Sequence, residues 1–241
     1  MNTESMNDNS MQSHSSAEHR AVTPLSAGFA GSVHHDSTRD DCTVIIFAKA
    51  PLPGMAKTRL APALGEAGAA RLAQRMLDET LARAAEAGIG ALELCCTPDT
   101  DDAILIDAAN RVGATLTSQG TGDLGQRMER ALHRHLSSGR RAILIGTDCP
   151  ALDARLLRQA EQWLRQRPAV FAPTADGGYV LVGLSTGIPG LFDQIDWGSA
   201  MVMAQTRERL ARLHLEAGLL AVLHDIDEPA DLVHVPTGWL E

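Results

Sequence analysis

Residues 42–60 read CTVIIFAKAPLPGMAKTRL, and this stretch decides how the rest of the chain is interpreted. Its first seven residues are apolar and largely β-branched, which predicts a buried parallel strand. A loop stiffened by prolines follows, and a long helical pattern begins after the loop. Strand, glycine-containing loop, basic residues and helix form an arrangement that binds phosphate, because backbone N–H groups and the helix N-terminus point at the anion.

The chain has two lysines, Lys49 and Lys57, and both lie in this stretch. Histidines aside, all of its other basic residues are arginines. One alternative is a compositional bias toward arginine that left two lysines at random positions. We predict instead that the loop binds phosphates. The motif is neither a Walker A loop nor a dinucleotide fingerprint, because two residues separate the glycine from the Lys-Thr pair. The predicted nucleotide-binding residues of the loop are Lys49, Pro53, Gly54, Lys57, Thr58 and Arg59.

The composition narrows the class of protein. A net charge of −9 argues against general nucleic-acid binding, which requires a basic face. No apolar stretch approaches the length that spans a bilayer. Residues 1–40 are rich in Ser, Asn, Asp and His and lack the apolar region of a signal peptide, so we expect a disordered tail and a cytoplasmic protein. Residues 41–241 are long enough for one domain.

Strand and helix patterns alternate after the tail. This order predicts an α/β fold, a three-layer α/β/α sandwich with a mostly parallel sheet. The glycine turn between the fifth and sixth strands indicates an antiparallel departure at one edge. The predicted strands are 42–48, 91–97, 115–118, 141–146, 169–172, 179–184 and 219–224, and the predicted helices are 66–87, 99–111, 123–136, 153–163 and 199–217.

Acidic residues follow two predicted strands. Ligands of such sheets bind outside the carboxyl ends of the strands. Asp148 ends the central strand and is placed to hold Mg²⁺ or Mn²⁺ against phosphate oxygens, although it could equally cap the turn before Pro150. Asp225 and Asp227 lie on the same side of an extended segment and suit a second metal contact, or they are simply solvated.

Glycines mark two further candidate segments. Gly122, Asp123 and Gly125 begin a helix, where Asp123 is the predicted N-cap and the glycines would let the backbone approach a nucleobase or ribose. A tight turn begins at Asp176, which is our candidate for positioning an acceptor or acting as a base. The predicted acceptor-binding residues are Gly177, Gly178, Tyr179 and Trp197, the last as a lid or as the entry to a helix.

Five motifs, at residues 49–60, 122–128, 145–152, 176–184 and 225–232, together resemble the DUF2064 family of GT-A-fold, nucleotide-diphospho-sugar-transferase-like proteins, also called radical-SAM/selenodomain-associated transferase 1. The similarity extends more distantly to the molybdenum cofactor and phospholactate guanylyltransferases. It implies that Lys57 and Arg59 bind phosphates, that the segment 122–125 lies near the base, and that Asp148 binds a divalent metal. Asp227, with Asp225 as competitor, would supply the second carboxylate.

The sequence therefore predicts a metal-dependent transferase that uses a nucleotide-sugar or a nucleoside triphosphate, with Lys57, Arg59 and Asp176 as catalytic residues and a small molecule as acceptor. Glycosyl transfer is the first hypothesis for the reaction. Nucleotidyl transfer to a phosphorylated acceptor is the alternative, because Asp148 lacks the Asp-x-Asp pair of many GT-A glycosyltransferases. A non-catalytic nucleotide-binding protein is a further alternative. A hydrolase using Cys149 would need a histidine beside it.

Overall fold

The computed structural model describes residues 41–240, and the predictions made for the tail lie outside them. Strands and helices alternate through this range. The strands are β1 (Cys42–Lys49), β2 (Ala91–Thr97), β3 (Thr115–Ser118), β4 (Arg141–Gly146), β5 (Ala169–Pro173), β6 (Tyr179–Leu184) and β7 (Ala217–Leu219). The helices are α1 (Ala61–Ala87), α2 (Ala103–Val112), α3 (Leu124–Leu136), α4 (Ala154–Leu164) and α5 (Val202–Arg212), with short 3₁₀ helices at Thr58–Leu60 and Pro229–His234.

The seven strands form one sheet in the order β3-β2-β1-β4-β6-β5-β7. Strands β1 to β4 are mutually parallel, and β7 is parallel to β5. The prediction of a mostly parallel sheet is confirmed. The antiparallel departure was placed wrongly at an edge: β6 lies inside the sheet and pairs antiparallel with both β4 and β5. The β5–β6 turn forms a direct hairpin, so β6 runs antiparallel to β5. In the sheet β6, and not β5, is the strand that pairs with β4.

Helices cover both faces of the sheet, which confirms the three layers. Alternate residues of β1 face opposite sides: Val44 and Ile46 pack in one cluster with α1, α2 and α4, and Ile45 packs in the other with α3 and α5. Since both faces of the strand are covered, its residues read as a continuous apolar run rather than an alternating one. The buried helix residues on the first face include Leu77, Leu81, Leu105 and Leu157, and those on the second include Met128, Leu132, Met203 and Leu210.

Several predicted boundaries were wrong. The first helix begins at Ala61 and not at residue 66, and the last begins at Val202 and not at residue 199. The helix after β2 begins at Ala103 and not at residue 99, because the Asp102 carboxylate caps it by accepting from the backbone N–H groups of Ile104 and Leu105. The last helix ends at Arg212, where His214 adopts a positive φ of 54°. The chain therefore turns early, and β7 occupies residues 217–219 rather than 219–224. Within residues 41–240, no helix is long and apolar enough to cross a membrane.

Candidate active site

A cleft of about 670 Å³ opens at the carboxyl ends of β1 and β4. The β1–α1 loop and the β5–β6 turn border the cleft. Asp225 and Asp227, from the C-terminal part of the chain, also line it. This is the edge at which parallel sheets of this type bind ligands. The segments predicted to carry the chemistry therefore meet at one place, although of residues 122–125 just Leu124 lines the cleft.

Lys57 lies at the centre of the cleft's polar groups. Its Nζ is 2.7 Å from Oδ1 of Asp148 and 2.8 Å from Oδ1 of Asp227, and it also donates to the carbonyl oxygen of Ile226. The lysine side chain is only 8% exposed, whereas the two carboxylates are 46% and 45% exposed. The structure thus brings together the lysine loop and the end of the central strand, as the sequence predicts, but joins them in direct contact.

The backbone around Lys57 is arranged for this contact. Lys57 has φ 48° and ψ 42°, a left-handed conformation that residues other than glycine rarely adopt, and it precedes the 3₁₀ turn Thr58–Leu60. Such a conformation persists only where the surroundings enforce it, and it is common at functional sites. Leu60, which is fully buried, anchors the turn below. The turn therefore aims the lysine into the acidic group.

The C-terminal segment is fastened beside β4 by its backbone. The N–H of Ile226, which is fully buried, donates to the carbonyl oxygen of Asp148 at 2.8 Å. The Asp231 carboxylate accepts from the N–H groups of Asp227 (3.0 Å) and Glu228 (2.7 Å). These bonds hold Asp227 opposite Asp148, although 78 residues separate Asp148 from Ile226 in the sequence.

The charges of the cleft explain the protonation of Lys57. Burial acts to lower its pKa, but the attraction and hydrogen bonds of Asp148 and Asp227 outweigh burial and raise the pKa above its ordinary value. Lys57 is therefore an ammonium at neutral pH. It neutralises part of an acidic group that also contains Asp176 and Asp225, which line the same cleft.

Asp225 and Asp176 have different surroundings. Burial, followed by the neighbouring charges of Asp176, Asp227 and Asp148, raises the pKa of Asp225 to about 6. Asp176 uses Oδ1 to accept from the Thr174 hydroxyl (2.6 Å) and from the N–H of Gly178 (2.9 Å), which stabilises the β5–β6 turn. These bonds fit the interpretation of Asp176 as a turn residue, and Asp176 also lines the cleft.

Only some of the other residues that were predicted to bind phosphate lie in the cleft. Lys49, Thr58 and Arg59 line it. The Arg59 side chain is 70% exposed, with its Nη1 3.8 Å from Glu228 Oε1. Pro53 and Gly54 stand outside the lining residues, and a side chain at Gly54, whose φ is 72°, would meet the carboxylate of Glu66.

The glycines at the start of α3 serve packing and capping. A Cβ at Gly125 would lie 2.8 Å from Nε1 of Trp197 and 2.9 Å from the carbonyl oxygen of Phe192, so glycine is required where α3 meets that segment. Gly122 has φ 105°, and Asp123 forms a capping box with Gln126. None of Gly122, Asp123 and Gly125 is among the residues that line the cleft, although Leu124 between them is.

The predicted acceptor residues divide in the same way. Gly178 and Tyr179 line the cleft, whereas Gly177 packs against the segment before α5, where a Cβ would lie 2.1 Å from the carbonyl oxygen of Ala200. The rings of Tyr179 and Trp197 meet edge-on with centroids 6.4 Å apart. Trp197 thus packs against Tyr179, is not among the lining residues, and precedes α5 in the sequence.

Gln119 and Arg127 bound a segment that the sequence places at a strand end, but sequence reasoning gave neither residue a role in the site. The Gln119 side chain donates to the carbonyl oxygens of Ala48 (3.2 Å) and Cys95 (3.1 Å), and its own carbonyl accepts from Arg127 Nη1 at 2.9 Å. Gln119 is 4% exposed, and both residues line the cleft. An amide directly after a short strand was the available signal. The Gln119 side chain joins the ends of β1 and β2 and holds the Arg127 guanidinium in the cleft wall.

Cys149 is buried against the core, and burial raises the pKa of its thiol. A thiol with a raised pKa is a poor nucleophile. The Cys149 environment therefore fits packing rather than catalysis.

The carboxylates of Asp148 and Asp227 have the chemistry that Mg²⁺ and Mn²⁺ prefer, since both metals favour oxygen ligands. Their half-exposed oxygens face a cleft that is large enough for a nucleotide. In the described part of the chain, no group of three or more Asp, Glu, His or Cys side chains is arranged to hold a metal. These two residues fit a metal that would receive its remaining ligands from substrate and water.

Comparison with known proteins agrees with the fold. The profile of a family described as uncharacterized proteins conserved in bacteria (DUF2064) matches residues 80–199. A provisionally named nucleotide-diphospho-sugar transferase from Desulfovibrio desulfuricans G20 is 31% identical, with a TM-score of 0.73 over 80% of this chain and 85% of that one. The chain belongs to the DUF2064 family. No curated protein sequence matches it.

More distant structures share the fold of this DUF2064 protein. The 4-diphosphocytidyl-2C-methyl-D-erythritol synthase of Anaerococcus prevotii has a TM-score of 0.56 at 12% identity, covering 81% of this chain and 94% of its own. The glucosyl-3-phosphoglycerate synthase of Mycobacterium tuberculosis, determined with Mn²⁺, UDP and glucosyl-3-phosphoglycerate, has a TM-score of 0.51 at 13% identity, covering 83% and 76%. Nucleotidyl- and glycosyltransferases are therefore both among the proteins that share this fold.

Proposed function

We propose that this protein is a metal-dependent transferase that takes a nucleotide-sugar or nucleoside triphosphate as donor and a small molecule as acceptor, with glycosyl transfer as the first candidate reaction. The observation that carries the proposal is the contact of Lys57 with Asp148 and Asp227 inside a cleft at the strand ends. The relative that is 31% identical supports it, since its name places it among nucleotide-diphospho-sugar transferases.

The cleft residues would divide the work by charge. Lys57 and the exposed Arg59 would bind the phosphates and stabilise the negative charge that develops on the leaving group, which is the largest contribution a protein makes to such reactions. Asp148 and Asp227, with Asp225 beside them, would hold Mg²⁺ or Mn²⁺. A bound metal would add further positive charge at the phosphate oxygens.

Asp176 would position the acceptor. One carboxylate oxygen is engaged with Thr174 and the N–H of Gly178, which fixes the orientation of the group. A fixed carboxylate at the edge of the cleft can accept a hydrogen bond from an acceptor hydroxyl. It can also take the hydroxyl's proton as a general base. An acceptor that is already a phosphate would need no base.

Nucleotidyl transfer is the second candidate, and one observation favours it. Asp148 has Gly146 two residues before it, so β4 ends in a single carboxylate rather than in an Asp-x-Asp pair. In this reaction an acceptor phosphate would attack the α-phosphorus of a nucleoside triphosphate, and pyrophosphate would leave. The negative charge would develop on oxygens that the same cations can reach.

A thermal-shift screen with nucleoside triphosphates and nucleotide-sugars, each with and without Mg²⁺ or Mn²⁺, tests the proposal. A ligand of the folded state raises the melting temperature by mass action. Preference for a nucleotide-sugar supports glycosyl transfer, and preference for a triphosphate supports nucleotidyl transfer. A specific shift without turnover of any donor would support the non-catalytic alternative. No shift with any nucleotide would contradict the proposal.

A further inference from the structure

Lys57 Nζ lies between Asp148 and Asp227, the two carboxylates to which the proposed function assigns a metal. We propose that Lys57 is an internal counter-ion that closes the metal site, so that a divalent cation binds Asp148 and Asp227 only after the ammonium has moved away. The inference rests on the proposed function in taking these two carboxylates as the metal ligands. It adds an ordered exchange of one cation for another at the same oxygens.

The hydrogen bonds of Lys57 show that the site is occupied. An ammonium has three donors and no acceptor. Nζ of Lys57 has three oxygen partners, which are Asp148 Oδ1 at 2.7 Å, Asp227 Oδ1 at 2.8 Å and the carbonyl oxygen of Ile226. All three donors are therefore used, and the lysine is held as a small cation is held by its oxygen ligands.

Electrostatics makes the two cations alternatives. A divalent ion bound to the same two Oδ1 atoms would lie within a few ångströms of Nζ, where two positive charges repel strongly even at the effective dielectric of a protein surface. The side chains of Asp148 and Asp227 are about half exposed, so their remaining oxygens are accessible from the cleft. The lysine, at 8% exposure, is the member that must move.

The ligand that would move the lysine is an oxyanion. Lys57 has a flexible four-carbon side chain, and a phosphate offers its ammonium acceptors that replace those of the carboxylates. The neighbouring Lys49, Thr58 and Arg59 line the cleft at the same loop and would bind the same anion. Phosphate and metal would then bind with positive coupling, since each favours the state in which Lys57 has left the carboxylates.

Mn²⁺ alone is the probe that tests this inference. Mn²⁺ binding is measured by electron paramagnetic resonance and by calorimetry for wild type, Lys57→Met, Lys49→Met and the double variant Lys57→Met/Asp227→Asn. We expect Lys57→Met to bind one Mn²⁺ at least about tenfold more tightly than wild type, because a competing charge has been removed. Lys49→Met changes the net charge equally and leaves the affinity within about twofold. The double variant loses the gain.

Equal Mn²⁺ affinity in wild type and Lys57→Met, or no binding to either, overturns the inference, as does an equal gain in Lys49→Met. Lys57→Gln serves if the methionine variant does not fold. Tight Mn²⁺ binding by Lys57→Met, together with no nucleotide shift in wild type, would retain this inference and reject the proposed function.

Discussion

Two charge clusters in this protein are built in opposite ways. The cleft cluster, Lys57 with Asp148 and Asp227, has a buried cation and half-exposed acids. The edge cluster, Glu93 with Thr117, Arg134 and His135, has a buried acid, 5% exposed, and more exposed cationic partners. Glu93 accepts from the Thr117 hydroxyl at 2.7 Å and from Arg134, and its other oxygen is 2.5 Å from His135 Nε2.

The difference separates a structural cluster from one that can take a ligand. In the edge cluster the protein itself occupies both oxygens of the central carboxylate, so the group joins β2, β3 and α3 and offers nothing to a ligand. In the cleft cluster the acids keep oxygens that face an open cleft. A buried charge that is fully hydrogen-bonded serves the fold, whereas partly free carboxylates around a resident cation are suited to exchange.

Glu93→Gln should produce the largest change in stability. It removes the buried charge that Arg134 and His135 contact, and breaking such a group costs about 3–5 kcal/mol in the free energy of unfolding. Urea denaturation of the variant measures this loss. The nucleotide-dependent thermal shift should persist, because the cluster lies outside the cleft. A stability within about 0.5 kcal/mol of wild type would show that the edge cluster is not structural.

The pH dependence of the same variant is the next largest effect. Burial acts to raise the pKa of Glu93, but hydrogen bonds from His135, Thr117 and Arg134 lower it below its ordinary value of 4.5. Its stabilising contribution is therefore complete above about pH 4.5 and is lost as the pH falls through the folded-state pKa. The difference between wild type and Glu93→Gln should shrink below about pH 4. A difference that stays constant with pH would contradict this.

Asp148→Asn should cost little stability and abolish the metal-dependent nucleotide shift, whereas Lys57→Ala should keep metal binding and weaken the shift that the nucleotide adds, because a phosphate loses one cation. The carboxylate is half exposed, and exposed ion pairs contribute at most about 1 kcal/mol. Lys57 also keeps Asp227 and the Ile226 carbonyl as partners in the first variant. Thermal melts with and without Mn²⁺ and nucleotide separate the two effects. Unchanged shifts in both variants would refute the assignment of these site residues.

Arg59→Ala should have the smallest effect on stability, below about 0.5 kcal/mol, because the arginine is 70% exposed and lies 3.8 Å from Glu228. Calorimetry with the best nucleotide of the screen should show weaker binding, since a phosphate would lose one cation. A protein that binds this nucleotide as tightly as wild type would remove Arg59 from the site.

The sequence predicted the parts of the fold that local patterns encode. The buried strands β1 and β4 appear as apolar runs, and the acid or lysine that follows each strand is placed by the rule that carboxyl ends meet at one edge. The meeting of Lys57 and Asp148 could be predicted in this way. The position of β6 between β4 and β5 could not, because strand order depends on long-range pairing.

Other features of the site are also invisible to local patterns. The left-handed backbone at Lys57 is enforced by the surrounding fold, since the residue is not glycine. Asp227 reaches Lys57 through the hydrogen bond between Ile226 N–H and the Asp148 carbonyl, a contact between distant parts of the chain. Gly125 has the sequence signature of a ligand-facing glycine, but the indole of Trp197 packs against it.

The most direct test of the account is a crystal structure of the protein with Mn²⁺ and the nucleotide that gives the largest thermal shift, with the metal located by its anomalous scattering. The account predicts one Mn²⁺ peak bonded to carboxylate oxygens of Asp148 and Asp227, with the Lys57 ammonium moved onto a phosphate. A metal bound elsewhere, or a Lys57 that still joins the two carboxylates beside bound nucleotide, would contradict it.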